Sequence, residues 1–190
     1  MKNNIYSTVI VFALIFIYSC NYITNKKQCD KEISSETILS KTISFPNSLF
    51  KLEDNKFEDI DAFLPGIENK SKIISIVDGI CMKCIIYQLN VIDSIFNSIT
   101  ATDDNLMIFI LNVSRDDSAY FMRNLQPAIK AKGIILWDDN YNFERQNDLF
   151  TSDINLRTFM TNKENKIIQV GNPVRNPDVI KEYQQKLAEL

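Results

Sequence analysis

Ile73-Ile74-Ser75-Ile76-Val77-Asp78-Gly79-Ile80-Cys81-Met82-Lys83-Cys84 is the stretch on which the fold turns. Residues 73–77 are short, β-branched and almost continuously apolar, which is how a strand buried on both faces reads. After Cys81 the period changes. Ile85, Leu89, Ile92, Phe96 and Ile99 recur at spacings of three and four, with Gln88, Asn90, Asp93 and Ser94 between them. Residues 81–99 are therefore expected to form an amphipathic helix. Two cysteines separated by two residues stand where strand gives way to helix.

That position has a chemical consequence. Unpaired backbone N–H groups and the positive end of the dipole stabilise a thiolate at a helix N-terminus. A cysteine pKa can fall there from about 8.5 to ~3.5–7.5. Cys81 is expected to be the exposed nucleophile. Cys84, one turn further in, can close a disulfide with it and resolve a mixed disulfide. Lys83 adds positive charge nearby.

The rest of the domain follows the same alternation. Residues 42–52, with Ile43, Phe45, Leu49 and Phe50 interrupted by Pro46, suggest an irregular edge strand. Residues 60–67 suggest a short helix ended by Pro65-Gly66. Residues 106–113 form a second apolar strand. Asp116, Asp117 and Ser118 can cap a helix carrying Phe121, Met122 and Leu125, which Pro127 should end. A third short apolar strand covers 133–137. Residues 158–161 and 166–170 flank Asn162-Lys163-Glu164-Asn165 as a hairpin. Asn176-Pro177 starts a last helix, with Val179, Ile180, Tyr183, Leu187 and Leu190 as its stripe. Strand–helix alternation implies right-handed crossovers and a central sheet covered on both faces.

Composition narrows the chemistry. The chain has 190 residues, a formal net charge of −3 and no histidine. Such a length fits one domain. Without histidine there is no Ser-His-Asp or Cys-His catalysis and no imidazole ligand for a metal. No basic field exists for nucleic acid. Zinc would need two ligands beyond Cys81 and Cys84, so neither a metal nor another cofactor is expected.

The first residues read as an address. Lys2 precedes a nearly unbroken apolar run over 5–17, shorter than the ~20 residues that span a bilayer. Residues 1–19 thus fit a secretory signal peptide. Ile17-Tyr18-Ser19-Cys20 resembles the lipobox of bacterial lipoproteins, which implies lipidation of Cys20 as the mature N-terminus. An uncleaved anchor, or an ordinary signal with a chance cysteine, is the alternative. Cleavage before Cys20 takes the formal charge to −4 by removing Lys2. Residues 20–40 are polar and read as a flexible tether containing Cys29, and 41–190 form the domain.

Residues 41–190 resemble the thioredoxin-like superfamily, most closely its extracytoplasmic lipoprotein members related to TlpA and the AhpC/TSA-type redoxins. The resemblance rests on the strand 73–77, Cys81 and Cys84 with their helix, and the strand 106–113. It rests also on Ile135-Leu136-Trp137-Asp138-Asp139 before Asn142-Phe143, and on Thr158-Phe159-Met160-Thr161-Asn162-Lys163-Glu164-Asn165-Lys166-Ile167-Ile168 followed by Gly171-Asn172-Pro173. It implies an α/β thioredoxin-like three-layer sandwich, a central mixed sheet with helices on both faces. It implies exchange of disulfides with protein thiols at the bacterial cell envelope, on the periplasmic or cell-surface side, with a membrane electron donor.

The sequence departs from the family in several places. Ile80 replaces an aromatic residue before the first cysteine. Asn165 replaces the turn glycine, a mild change because Asn tolerates positive φ. Ser75 stands near the place of thioredoxin's buried acid, with Asp78 the nearest carboxylate, a loop group or cap. Ile154-Asn155-Leu156-Arg157-Thr158 carries no cis-proline. Ile80, Leu156 and Arg157 are expected to face the substrate, and residues 140–143 can add a loop beside them. Asp138 and Asp139 read as a solvated turn. A thioredoxin fold can also keep its scaffold and lose its substrate surface, so a redox-inert binding or structural module is the alternative reading.

Overall fold

The computed structural model describes residues 33–54, 56–79, 81–99 and 105–190. The expected signal peptide, Cys20, Cys29 and Ile80 lie outside the described residues.

The described residues form one sheet of seven strands: β1 (Phe50–Glu53), β2 (Lys56–Asp59), β3 (Ser71–Asp78), β4 (Asn105–Asn112), β5 (Ile134–Asp138), β6 (Thr158–Thr161) and β7 (Ile167–Val170). Their order is β2-β1-β5-β4-β3-β6-β7. The centre is parallel, with β3 beside β4 and β4 beside β5. The flanks are antiparallel, with β1 on β5 and β6 on β3. The helices are α1 (Ser35–Ile38), α2 (Ile60–Ile67), α3 (Met82–Ile99), α4 (Ser118–Asn124), α5 (Asn142–Asn147) and α6 (Val179–Ala188). Three-residue 3-10 turns at Arg115–Asp117 and Gln126–Ala128 flank α4. Ser114, rather than the Asp116, Asp117 or Ser118 expected from the sequence, caps the first by accepting from the Asp116 N–H. Pro127 sits in the second and ends the helical run.

Strand β3 shows why both faces are covered. Its first seven residues are buried, and successive side chains alternate sides. Ile73 and Val77 join the core under α3, α4 and α6, with Ile85, Leu89, Phe96, Phe121 and Tyr183. Ile74 and Ile76 join the opposite core with Ile38, Ile60, Phe143 and Phe159 from α1, α2, α5 and β6. The sheet is mixed and helices cover both faces, as the sequence implied.

The differences lie at the periphery. Residues 42–52 contribute an isolated bridge, Thr42 to Lys166, and the separate strand β1. The edge beside β1 is β2, which the sequence did not mark because all four of its residues are exposed and no alternation of burial exists to read. Within the span expected to be tether, α1 buries Ile38 completely and Ser34 caps it. Pro65 lies inside α2, which continues to Ile67 rather than ending at Pro65-Gly66. Among the described residues no helix is long and apolar enough to cross a membrane.

Candidate functional site

The end of β3 and the start of α3 are joined by a tight path. The Gly79 N–H donates to the Asn112 carbonyl at 2.6 Å. A Cβ on Gly79 would stand 2.5 Å from that oxygen and 2.8 Å from Val113 Cγ2, so only glycine lets the two backbones approach this closely. The chain then reaches Cys81, whose carbonyl accepts from the Ile85 N–H at 3.1 Å. Cys81 thus occupies the cap position of α3.

Cys81 and Cys84 form a disulfide, with Cα atoms 5.1 Å apart. The Cys84 N–H donates to Cys81 Sγ at 3.3 Å. This is the geometry of an N-cap, with sulfur in place of the usual side-chain oxygen. On reduction the same N–H and the helix dipole favour charge on Cys81. Both cysteines are exposed, so Cys84 is not sheltered beneath its partner. The arrangement can close and open a disulfide, giving or taking two electrons.

No carboxylate occupies the position of Ser75. Its hydroxyl is buried and shares a 3.0 Å hydrogen bond with Thr158 Oγ. Residues 154–157, where the resemblance implies a cis-proline, form a 3-10 turn (Ile154–Arg157) capped by Asp153. Among the described residues no peptide bond is cis. Leu156 and Arg157, expected to face a substrate, are each only 9% exposed. Leu156 packs in the core on the α5 face.

Arg157 turns inward because two carboxylates hold it. It pairs with Asp78 through both terminal nitrogens, and Nη2 also donates to Glu144 Oε1 at 3.1 Å. Asn112 Nδ2 donates to Glu144 Oε2 at 2.5 Å. Burial pushes the Glu144 carboxyl up to about 7, although Arg157 and Asn112 pull it back. Burial, followed by the nearby Asp78 and Glu144 charges, also raises the Tyr141 phenol. Asp78 is therefore an ion-pair partner of Arg157 at the last position of β3, not a free loop group.

Asp138 is likewise not in a solvated turn. It is fully buried and caps α5, accepting from Phe143 N–H at 2.8 Å and Asn140 N–H at 3.2 Å. Within the loop expected at 140–143, Phe143 is completely buried. The sequence analysis missed Glu144 and Asn112. Glu144 sits in the first turn of a six-residue helix, and nothing local distinguishes it from a solvated carboxylate. Among the described residues no group of three or more His, Cys, Asp or Glu side chains is placed to hold a metal ion.

A groove of about 470 Å³ opens beside the disulfide. Cys84, Lys83 and Tyr87 of α3 form one wall, with Ile154, Val174 and Arg175 across from them.

No protein-family profile matches the chain, and no curated protein matches its sequence. Solved structures do match. A candidate protein disulfide isomerase from Bacteroides thetaiotaomicron is 13% identical, with a TM-score of 0.54 over 80% of this chain and 88% of that one. A candidate thiol-disulfide oxidoreductase from Bacteroides vulgatus is 15% identical, with a TM-score of 0.52 over 76% and 90%. AhpC from Enterococcus faecalis is 14% identical, with a TM-score of 0.51 over 80% and 95%. The fold is thioredoxin-like, of the kind shared by thiol-disulfide oxidoreductases and AhpC-type redoxins. Within it, the Cys81–Cys84 pair fits the CxxC pattern at the start of the helix that follows a central strand.

Proposed function

We propose that the protein is a thiol–disulfide oxidoreductase of the bacterial cell envelope, tethered to a membrane through a lipid on Cys20. Cys81 attacks or accepts the substrate disulfide and Cys84 resolves the mixed disulfide. Protein thiols and disulfides are its substrates, and a membrane protein supplies or removes its electrons. The observation that carries this reading is the exposed Cys81–Cys84 disulfide, with the Cys84 N–H already directed at Cys81 Sγ at 3.3 Å. Exchange then needs no group outside the pair to favour the Cys81 thiolate.

One observation favours the second reading, a redox-inert binding module. The segment expected to present backbone to a substrate is a 3-10 turn that buries Leu156 and Arg157. Thiol trapping across glutathione and dithiothreitol buffers separates the two readings. An oxidoreductase gives a potential between about −270 and −120 mV, and Cys84→Ser accumulates mixed disulfides through Cys81 in cell envelopes. A pair that never closes, or a disulfide that resists every buffer, overturns the oxidoreductase reading.

A further inference from the structure

Two cations flank the groove beside the disulfide. Lys83 lies between the cysteines, and Arg175 stands on the opposite wall. Both are exposed, and among the described residues neither has an ion-pair partner. No Asp or Glu lines the groove among the described residues. The chain as a whole is acidic, with a formal charge of −3, so the groove runs against the sign of the molecule. Such a local reversal selects ligands by charge and speeds their approach.

The far wall is held in place by its own hydrogen bonds. Asn172 is 4% exposed. Its carbonyl accepts from the Arg175 and Asn176 N–H groups at 3.1 and 2.9 Å, and its side-chain oxygen accepts from the Val174 N–H at 3.0 Å. Arg175 therefore projects from an ordered turn. Tyr87 is 59% exposed and offers an aromatic wall, while Ile154 and Val174 supply apolar surface. The combination suits an extended peptide that brings its cysteine to the Cys81–Cys84 pair beside the groove and its carboxylates toward Lys83 and Arg175.

We infer that this groove selects protein substrates whose reacting cysteine is flanked by acidic residues. The inference rests on the oxidoreductase reading. In the reducing direction the Cys81 thiolate attacks one sulfur of the substrate disulfide. That S–S bond breaks, the first substrate sulfur leaves as thiolate, and a Cys81–substrate disulfide forms. The Cys84 thiolate then attacks Cys81 Sγ and expels the second substrate thiolate. The pair loses two electrons, the substrate gains them, and the departing thiolates take up two protons from the cysteines and solvent.

The test uses the full chain, reduced, in detergent. The probes are disulfide-linked dimers of short peptides carrying Glu, Gln or Lys on both sides of one cysteine, with bis(2-hydroxyethyl) disulfide as an uncharged probe. Closure of Cys81–Cys84 is followed by mass spectrometry of the peptide that contains both. The Glu dimer should close the pair about threefold to tenfold faster than the Lys dimer at low salt. The ratio should shrink as salt screens it. Arg175→Glu should abolish or invert the preference, and Arg175→Lys should keep it. Equal rates, faster closure by the Lys dimer, or an unchanged preference in Arg175→Glu overturns the inference. Closure by the uncharged disulfide with a flat peptide series rejects the charge selection alone. Failure of every disulfide to close the pair rejects the oxidoreductase reading with it.

Discussion

Arg157 grips Asp78 with both terminal nitrogens, tying the residue before β6 to the last residue of β3, three positions ahead of Cys81. The same guanidinium reaches Glu144 on α5 at 3.1 Å. One cation thus joins two strands and a helix at the end of the sheet where the disulfide stands. Its side chain is 10% exposed and that of Glu144 is 2%, so little water is present to replace either partner.

Removing the cation should cost more than a surface charge would. Arg157→Ala leaves Asp78 and Glu144 facing each other without a counter-ion. Breaking a buried pair in this way typically costs about 3–5 kcal/mol, and the partial exposure of Asp78 places the expectation near the lower figure. Arg157→Lys should recover only part, because an ammonium cannot bridge two carboxylates as a planar fork does. Urea unfolding of the two variants measures both losses. A loss below about 1 kcal/mol for Arg157→Ala would show that the pair contributes no more than a surface salt bridge.

Glu144 should make stability fall as pH rises. Its folded value is about 7, above the ordinary 4.5, because of burial. Between those two values the folded chain keeps a proton that the unfolded chain has lost, and stability decreases with pH through that window. The loss should be on the order of 1–3 kcal/mol. Glu144→Gln is neutral at every pH and should flatten this part of the profile. Stability curves of both proteins across the window check it, and an identical slope in the variant would remove Glu144 as its source.

The hairpin turn yields a prediction opposite to the usual one. Asn165 has φ of 63°, where glycine is normally the less strained residue. Yet its Oδ1 accepts from Lys72 Nζ at 2.7 Å, and Lys72 is 1% exposed. Burial lowers that ammonium to about 8, so it is still charged at neutral pH. Asn165→Gly removes one of the two acceptors that Lys72 has among the described residues, the other being the Lys70 carbonyl. The substitution should destabilise the protein by about 1–3 kcal/mol at pH 7. Thermal unfolding at fixed pH decides it, and a rise in Tm would mean that backbone relief outweighs the lost contact.

These three sites differ in how they could be seen beforehand. The positive φ at Asn165 follows from the turn itself and was legible as a glycine substitute. Its contact with Lys72 spans 93 positions and was not. Asp78 was visible only as the carboxylate nearest Cys81, and Arg157 as a residue near the missing proline. Their pairing depends on β6 lying antiparallel beside β3, which no local pattern states. Leu156 and Arg157 were expected at the substrate surface and are buried instead, since the 3-10 turn before β6 packs them inward.

What the sequence determined by itself was local and periodic. Alternation and apolar runs marked the central strands, a three-four spacing marked α3, and the placement of Cys81 and Cys84 followed from the junction between them. These signals are short-range, because side-chain direction is set by the backbone period of each element. Tertiary structure alone decided which charged groups became buried, which edge β2 closes and which side chains form the groove. Each depends on strands and helices far apart in the chain meeting at one end of the sheet. A carboxylate such as Glu144 becomes a proton-binding group at neutral pH only when that meeting takes its water away.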